Sequence, residues 1–188
     1  EVGGCPAIAG QHTFRWPQAA NGGSGVRLGN GDDCALLAPA PGQQLAVSTD
    51  TLTAGVHFPA PCPDAHGLGQ RALAVAASDL AGMGATPIGF TLALSLPSGD
   101  PLWLAEFARG LDAMALDCSL HLIGGDTTRG PLTLSVTIFG ETPHGQALRR
   151  DAAQPGDDIW VSGQLGLAAA ALQQRLSGAG LALPADCL

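Results

Sequence analysis

The sequence predicts an α+β fold, because strand patterns and helix patterns follow one another along the chain. Residues 90–96 and 132–141 alternate large apolar side chains with small or polar ones, as strands with one buried face do. Residues 68–83 and 100–115 instead repeat apolar side chains at helical spacing. The chain has 188 residues, 46% of them hydrophobic, which suits one domain or one domain and the start of a second.

The first part of the chain predicts an arm, a strand pair and a loop. Residues 1–28 carry Gly and Pro at close intervals, which predicts an irregular Gly-rich arm. Residues 34–37 predict a buried strand, with residues 44–48 as its partner. Residues 55–59 predict a loop that carries His57. A loop histidine is most often only solvated, but this one follows an acidic cluster directly.

Two helices are predicted in the middle of the chain. Residues 68–83 are rich in alanine and place Asp79 beside an apolar face. An aspartate there must be paired, capped or bound to a metal, because uncompensated burial of its charge is costly. In the second helix, Asp100 supplies the N-cap and Pro101 the first turn. The apolar stripe that starts at Trp103 is typical of a core.

The next prediction concerns a Gly-rich stretch. Residues 120–123 predict a short strand that ends in Gly124-Gly125-Asp126-Thr127-Thr128-Arg129-Gly130. We predict a loop there, in which glycines let the backbone approach a ligand and Asp126 offers an oxygen donor. A tight turn is the alternative. Residues 159–162 predict a further strand and residues 166–176 a further helix.

The composition excludes several classes of function. The formal charge of −8 argues against binding to nucleic acid or to an anionic membrane surface. All eight basic residues are arginine, so neither a P-loop nor a lysine Schiff base is possible. The five cysteines are scattered and lack metal-site spacing, which indicates a reducing compartment and a cytoplasmic protein.

Four acidic clusters border apolar elements. They are centred on Asp32-Asp33, Asp50, Asp79 and Asp126. The ends of packed elements converge, and converging carboxylates would repel one another unless cations lay among them. We therefore predict a site of several oxygen-bound cations, with Mg²⁺ and phosphate as the best match.

These motifs together resemble the thiamine-monophosphate kinase family, in order and spacing, over roughly residues 29–176. The matching segments are Gly31-Asp32-Asp33-Cys34-Ala35-Leu36-Leu37, Ser48-Thr49-Asp50-Thr51-Leu52, Gly55-Val56-His57-Phe58, Ser78-Asp79-Leu80-Ala81 and Leu122-Ile123-Gly124-Gly125-Asp126-Thr127-Thr128-Arg129-Gly130. The resemblance implies ATP-dependent phosphorylation of thiamine monophosphate to thiamine diphosphate. It also implies the N-terminal domain of the aminoimidazole ribonucleotide synthetase-like fold: a mixed or antiparallel sheet with helices on one face and a homodimer formed through the sheet edge.

Residue roles are carried over from the resemblance where the motifs align. The implied magnesium ligands are Asp33, Thr49, Asp50, Asp79 and Asp126. The implied ATP contacts are Ser48, Gly125, Asp126 and Arg150. His57 is the implied contact to thiamine monophosphate, and Asp32 serves a turn or supports the ligands. No side chain is assigned as a catalytic acid or base, because metal ions would screen the charges.

The resemblance also divides the chain. We expect the arm at 1–28, an ATP- and magnesium-binding α+β domain at 29–145, and the start of a truncated C-terminal domain at 146–188. The family's Ser-Asp-Gly and Gly-Gly-Glu-Asp motifs do not occur, so we expect the chain alone to be an incomplete enzyme. Two alternatives stay open: another ATP-dependent member of the superfamily, and a non-catalytic magnesium- and nucleotide-binding dimerisation module.

Overall fold

The computed structural model describes residues 25–30, 32–161 and 165–177, and the chain divides into two compact units, Glu1–Arg149 and Arg150–Leu188. The elements of the first unit are β1 (Val26–Leu28), β2 (Leu36–Leu37), β3 (Gln43–Thr53), α1 (Ala65–Gly82), β4 (Thr86–Leu96), α2 (Pro101–Asp117), β5 (Leu122–Arg129) and β6 (Thr133–Pro143). The second unit contains α3 (Leu167–Ser177). The predicted α+β class is confirmed.

Four strands form one mixed sheet in the order β3-β6-β4-β5. The strand β6 runs antiparallel to both β3 and β4, whereas β5 runs parallel to β4. Phe90, Leu92 and Leu94 of β4 are buried, and so are Val136 and Ile138 of β6. Because successive side chains of a strand point to opposite faces, these residues make one face of the sheet apolar.

The helices α1 and α2 cover this apolar face. Helix α1 contacts β3, β4 and β6, and α2 packs along α1. The stripe predicted to be core is confirmed, because Phe107 and Leu111 are buried and the Trp103 ring stacks on Phe107 at 5.4 Å between centroids. Within the described residues, no helix has the length and apolar character needed to cross a bilayer.

Two glycines bring the backbones of α1 and α2 into direct contact. A Cβ atom at Gly69 would overlap the carbonyl oxygen of Phe107, and one at Gly110 would overlap the carbonyl oxygen of His66. No side chain fits at either position without moving a helix. The glycines therefore set the distance between the two helices.

The two helices begin at aspartate caps, of which the sequence predicts only one. Asp100 caps α2, since its Oδ1 accepts hydrogen bonds from the amides of Leu102 at 3.0 Å and Trp103 at 3.4 Å. Asp64 caps α1 by accepting from the Gly67 amide at 2.8 Å. The cap at Asp64 explains why α1 begins at Ala65, three residues before the predicted start at residue 68.

Replacing Asp100 by alanine is expected to lower the free energy of unfolding by about 1 kcal/mol, because two amides lose their acceptor. Urea denaturation measures the change. Asp100→Asn is the matched control, since asparagine keeps an acceptor oxygen and should retain most of the stability. An equal loss in both variants would show that the negative charge, not the cap, is what stabilises α2.

Two strand predictions are wrong in their details. The strand predicted at 34–37 is reduced to Leu36–Leu37, and Leu36 is 56% exposed rather than buried. It pairs with β1, while the strand predicted as its partner belongs to β3 and pairs with β6. Neighbouring strands in sequence often pair, but β6 pairs with β3 over eleven residues, a ladder that the two residues of β2 are too short to form.

The strand predicted at 159–162 is also wrong over its described residues. Ile159 and Trp160 are 94% and 90% exposed, and no strand includes them or Val161. Ser162 lies outside the described residues. A strand needs a neighbour for its backbone hydrogen bonds, and none of the described residues pairs with this segment.

The Gly-rich stretch is strand and not loop. The strand β5 continues to Arg129 and pairs with β4 up to Leu96. Asp126 stands opposite Ala93, in the middle of β5 rather than at the end of a strand. Backbone pairing with β4 outweighs the turn preference of the glycines, and Thr127 and Thr128 are β-branched residues that favour extended backbone.

Candidate functional site

The strand β3 presents the Ser48-Thr49-Asp50 motif on both faces of the sheet. In register, Ser48 faces Ile138 and Asp50 faces Val136, both buried residues of the helix-covered face. Thr49 points the other way, where its Oγ1 lies 2.9 Å from Oγ1 of Thr137. One carboxylate and one hydroxyl therefore lie on the side of α1.

Helix α1 brings Asp79 to that same side. The Ser48 hydroxyl donates a hydrogen bond of 2.5 Å to Oδ2 of Asp79, and both groups are partly buried. This contact joins residues 31 positions apart in the sequence and links β3 directly to α1. Of the predicted site residues, Ser48 and Asp79 are the pair that the structure brings into contact.

Three of the predicted carboxylates are free of protein partners within the described residues. Asp33, Asp50 and Asp126 accept no hydrogen bond and form no ion pair there with their side chains. Asp32 differs, because its Oδ1 accepts from the Asp33 amide at 2.8 Å, the turn role predicted for it. Uncommitted carboxylates are available to a cation.

The predicted convergence of the acidic clusters does not produce a complete metal cluster. Over residues 25–30, 32–161 and 165–177, no group of three or more Asp, Glu, His or Cys side chains lies close enough to hold a metal ion. The donors nevertheless fit magnesium in kind, since carboxylates and threonine hydroxyls are hard oxygen ligands. The residues thus carry the oxygen donors that magnesium prefers, and how these donors would surround an ion belongs to the proposed function.

Strand packing requires glycine at position 125. Its φ of +156° favours glycine, and a Cβ atom there would overlap the Leu92 carbonyl oxygen. At Gly124 a Cβ atom would only reach ordinary contact, 3.7 Å from Cγ2 of Thr91. The glycine at 125 therefore keeps β5 close to β4, and Asp126 follows it directly.

His57 is held by a turn at the end of β3. Its Nδ1 accepts a hydrogen bond of 3.0 Å from the Thr53 amide, and its own amide donates to the Thr53 carbonyl at 2.9 Å. An imidazole whose Nδ1 accepts carries its proton on Nε2, and the side chain is exposed. The turn therefore presents an N–H donor to solvent.

Arg150 is exposed and begins the second unit. Two thiols of the first unit are protected from ionisation. Burial raises the pKa of Cys62, although its hydrogen bond to the Asp64 backbone partly opposes the shift. Burial, with a smaller contribution from the charge of Asp117, raises the pKa of Cys118. Neither thiol has the low pKa that a nucleophilic cysteine needs. Neither Cys62 nor Cys118 is therefore a candidate nucleophile.

The contact between Ser48 and Asp79 is the main feature that the sequence interpretation missed. Each residue is predicted as a site residue, but for a different ligand, and no short-range pattern links them. Only the alternation of β3 could have indicated that Ser48 and Asp50 share a face.

Comparison with known proteins adds a family. The model of AIR synthase related protein, N-terminal domain, matches residues 31–142. The thiamine-monophosphate kinase of Salmonella typhimurium LT2 is 52% identical over 154 residues, which are 80% of this chain and 47% of that protein. The chain thus spans about half the length of the curated relatives it matches.

Solved structures agree with this comparison. The crystal structure of thiamine-monophosphate kinase from Stenotrophomonas maltophilia K279a is 56% identical, with a TM-score of 0.76 and coverage of 81% of this chain and 48% of that one. A structure named AaThiL complexed with AMPPCP and TMP is 28% identical, with a TM-score of 0.70 and coverage of 78% and 47%. By the extent of the family match and the shared fold, this chain belongs to the AIR synthase related protein family, whose N-terminal domain it contains.

Proposed function

We propose that the chain is the nucleotide-binding part of an enzyme that phosphorylates thiamine monophosphate with ATP, giving thiamine diphosphate. The observation that carries the proposal is the 52% identity to a thiamine-monophosphate kinase over 154 residues. The related structure with AMPPCP and TMP supports a site for a nucleotide and a second phosphorylated ligand. The absence of lysine agrees, because phosphate charge must then be met by arginine, backbone N–H groups and metal ions.

Magnesium would be held by residues of the first unit. The proposed ligands are Asp33, Thr49, Asp50, Asp79 and Asp126. The bound ions would supply screening of the phosphate charges. The Thr49 hydroxyl pairs with Thr137 on the face away from the helices. Thr49 would therefore bind the ion through its backbone, or its side chain would have to turn away from Thr137.

ATP would be bound by residues of three segments. The proposed contacts are Ser48, Gly125, Asp126 and Arg150. The lack of a side chain at Gly125 lets β5 lie directly against the Leu92 backbone of β4, which fixes the position of the proposed contacts at 125 and 126. Arg150 offers a guanidinium whose fork of donors suits phosphate oxygens.

The reaction needs positioning more than acid–base chemistry. The acceptor is already a phosphate, whose oxygen is a competent nucleophile without a strong base. Direct in-line transfer then requires two anionic partners to be held together and their charges balanced. The carboxylates, hydroxyls and arginine proposed above serve that purpose, and none of them must take a proton.

The proposal includes the organisation of the protein. Residues 29–145 form the ATP- and magnesium-binding domain, residues 146–188 begin a C-terminal domain, and the domain forms a homodimer through its sheet edge. The 188-residue chain alone is then an incomplete enzyme, in line with its match to half of each relative. A cytoplasmic location, without nucleic-acid or membrane partners, belongs to the same proposal.

The test is to incubate this chain with magnesium, ATP and thiamine monophosphate, beside a protein that extends to the length of the relatives. Mass spectrometry then detects thiamine diphosphate. Product from the longer protein alone would support the proposal in full. If neither protein forms product but both bind MgATP, the non-catalytic module or another substrate of the superfamily replaces it.

His57 provides a prediction for the second ligand. We expect His57→Ala in the longer protein to raise the KM for thiamine monophosphate about tenfold, a loss of roughly 1.4 kcal/mol, and to change the KM for ATP little. The reason is the loss of the Nε2–H donor. His144→Ala, another exposed histidine, is the matched control. Equal effects on both substrates would make His57 a structural residue of the turn.

A further inference from the structure

The segment between β3 and α1 is attached to the protein at few points. It comprises residues 55–64, called here the His57 loop, and within it only Phe58 and Cys62 are not exposed. Phe58 is 7% exposed and belongs to the core, and Cys62 packs against the same cluster. Positions 59, 61 and 63 are prolines, whose nitrogens cannot donate a hydrogen bond. The second half of the loop therefore has few ways to bind to other elements.

Helix α2 supplies an attachment through Trp103. Its indole N–H donates a hydrogen bond of 3.2 Å to the Cys62 carbonyl, across 41 positions of the sequence. Within the described residues, this is the one hydrogen bond that joins residues 59–63 to another element. The donor ring stacks on Phe107 with 5.4 Å between centroids, and Phe107 is buried. A firmly packed indole thus holds a segment that no other hydrogen bond fixes to the helices or the sheet.

The first half of the loop carries the exposed imidazole of His57. It forms a tight turn, in which the His57 amide donates to the Thr53 carbonyl at 2.9 Å and the Gly55 amide donates to the Phe58 carbonyl at 2.7 Å. This turn follows β3 at one end and continues at the other into the proline segment that α2 holds. The position of the turn therefore depends on attachments at both ends of the loop.

We propose that Trp103 is a positioning residue for the second ligand, because its indole N–H holds the His57 loop in the place from which Nε2–H of His57 meets thiamine monophosphate. This inference rests on the role of His57 in the proposed function. The effect of Trp103 passes through the loop and not through a contact of its own with substrate. A loop that is held before the ligand arrives loses less conformational freedom on binding, so the hydrogen bond raises affinity without entering the chemical step.

The first test is amide hydrogen exchange of this chain, followed by mass spectrometry. Trp103→Phe keeps an aromatic ring beside Phe107 and deletes the N–H donor, so the amides of residues 55–57 should exchange about fivefold faster, the effect of one lost hydrogen bond. Benzothienylalanine at position 103 keeps the bicyclic shape, has sulfur in place of the N–H and should act alike. Trp160→Phe is the matched control, because Trp160 is 90% exposed and its loss should leave exchange in the loop unchanged.

The second test is steady-state kinetics of the longer protein. We expect Trp103→Phe to raise the KM for thiamine monophosphate about fivefold and to leave kcat and the KM for ATP within about twofold. In a His57→Ala background, Trp103→Phe should cause no further rise, since its effect passes through His57. A residue that only stabilised the core would change the amount of folded enzyme, and with it kcat, without a selective rise in one KM.

The outcomes separate this inference from the proposed function. Unchanged exchange in the His57 loop, or a rise in KM that persists in the His57→Ala background, would overturn the role of Trp103 and leave the kinase assignment in place. Failure of the longer protein to form thiamine diphosphate would overturn the proposed function and the inference with it. Faster exchange in the loop, together with a selective rise in KM that requires His57, supports the inference.

Discussion

Replacing Gly110 by alanine is expected to destabilise the first unit by about 2–3 kcal/mol, the usual cost of overpacking a tight contact. The added methyl group would overlap the backbone carbonyl of His66, which cannot rotate away as a side chain could. For a protein of this size the midpoint of thermal unfolding should fall by roughly 4–12 °C. Differential scanning calorimetry measures the shift.

Gly82→Ala is the matched control. Gly82 is also a helical glycine, in the last turn of α1, but a Cβ atom there meets nothing within 4 Å. Alanine in a helix is preferred over glycine by about 1 kcal/mol in the interior, so this variant should be neutral or slightly stabilised. If Gly110→Ala were as stable as Gly82→Ala, the close approach of the two helices would not be a feature of the protein in solution.

Replacing Asp126 by asparagine is expected to remove magnesium-dependent nucleotide binding, with a loss of at least about 10–100-fold in affinity. The substitution keeps the size of the side chain and deletes the charge that would bind the ion. Because Asp126 is exposed and without protein partners in the described part of the chain, the free energy of unfolding should change by no more than about 0.5 kcal/mol. Isothermal titration with ATP, with and without Mg²⁺, measures the affinity.

Asp117→Asn is the control for charge alone, since Asp117 is an exposed aspartate at the end of α2. It removes one negative charge from the same unit but from a surface position that no motif includes. Its magnesium-dependent affinity should equal that of the original chain. An Asp126→Asn protein that still binds ATP better with magnesium than without it would contradict the metal assignment.

Those elements whose signals are local were predicted well. The helix at 100–115 has its cap, its proline and its apolar stripe in one continuous stretch, and the strand at 90–96 shows its alternation within seven residues. The pairing of β3 with β6 and the extended form of β5 depend instead on distant partners. From its sequence alone, a short glycine-rich segment is predicted to be a turn. Here the hydrogen bonds to the neighbouring strand β4 keep it extended.

The candidate site shows the same division. The residue types at 33, 50, 79 and 126 could be selected from the sequence, because carboxylates at the borders of apolar elements are chemically distinctive. Their mutual distances could not, since Asp50, Asp79 and Asp126 lie on three different elements and Asp33 lies in the segment before β2. The Ser48–Asp79 bond became visible only when α1 was placed against β3.

The strand order has a consequence for the time at which this protein acquires its shape during synthesis. Thr49 and Thr137, whose hydroxyls pair across β3 and β6, are 88 residues apart in the chain. Because β6 lies between β3 and β4, β3 has no neighbour in the sheet before β6 has left the ribosome, whereas β4 and β5 pair with each other directly. Folding through such non-local pairs is slow compared with helix formation. The nascent strand that carries Ser48 and Asp50 therefore waits without its partner until nearly the whole first unit has been made.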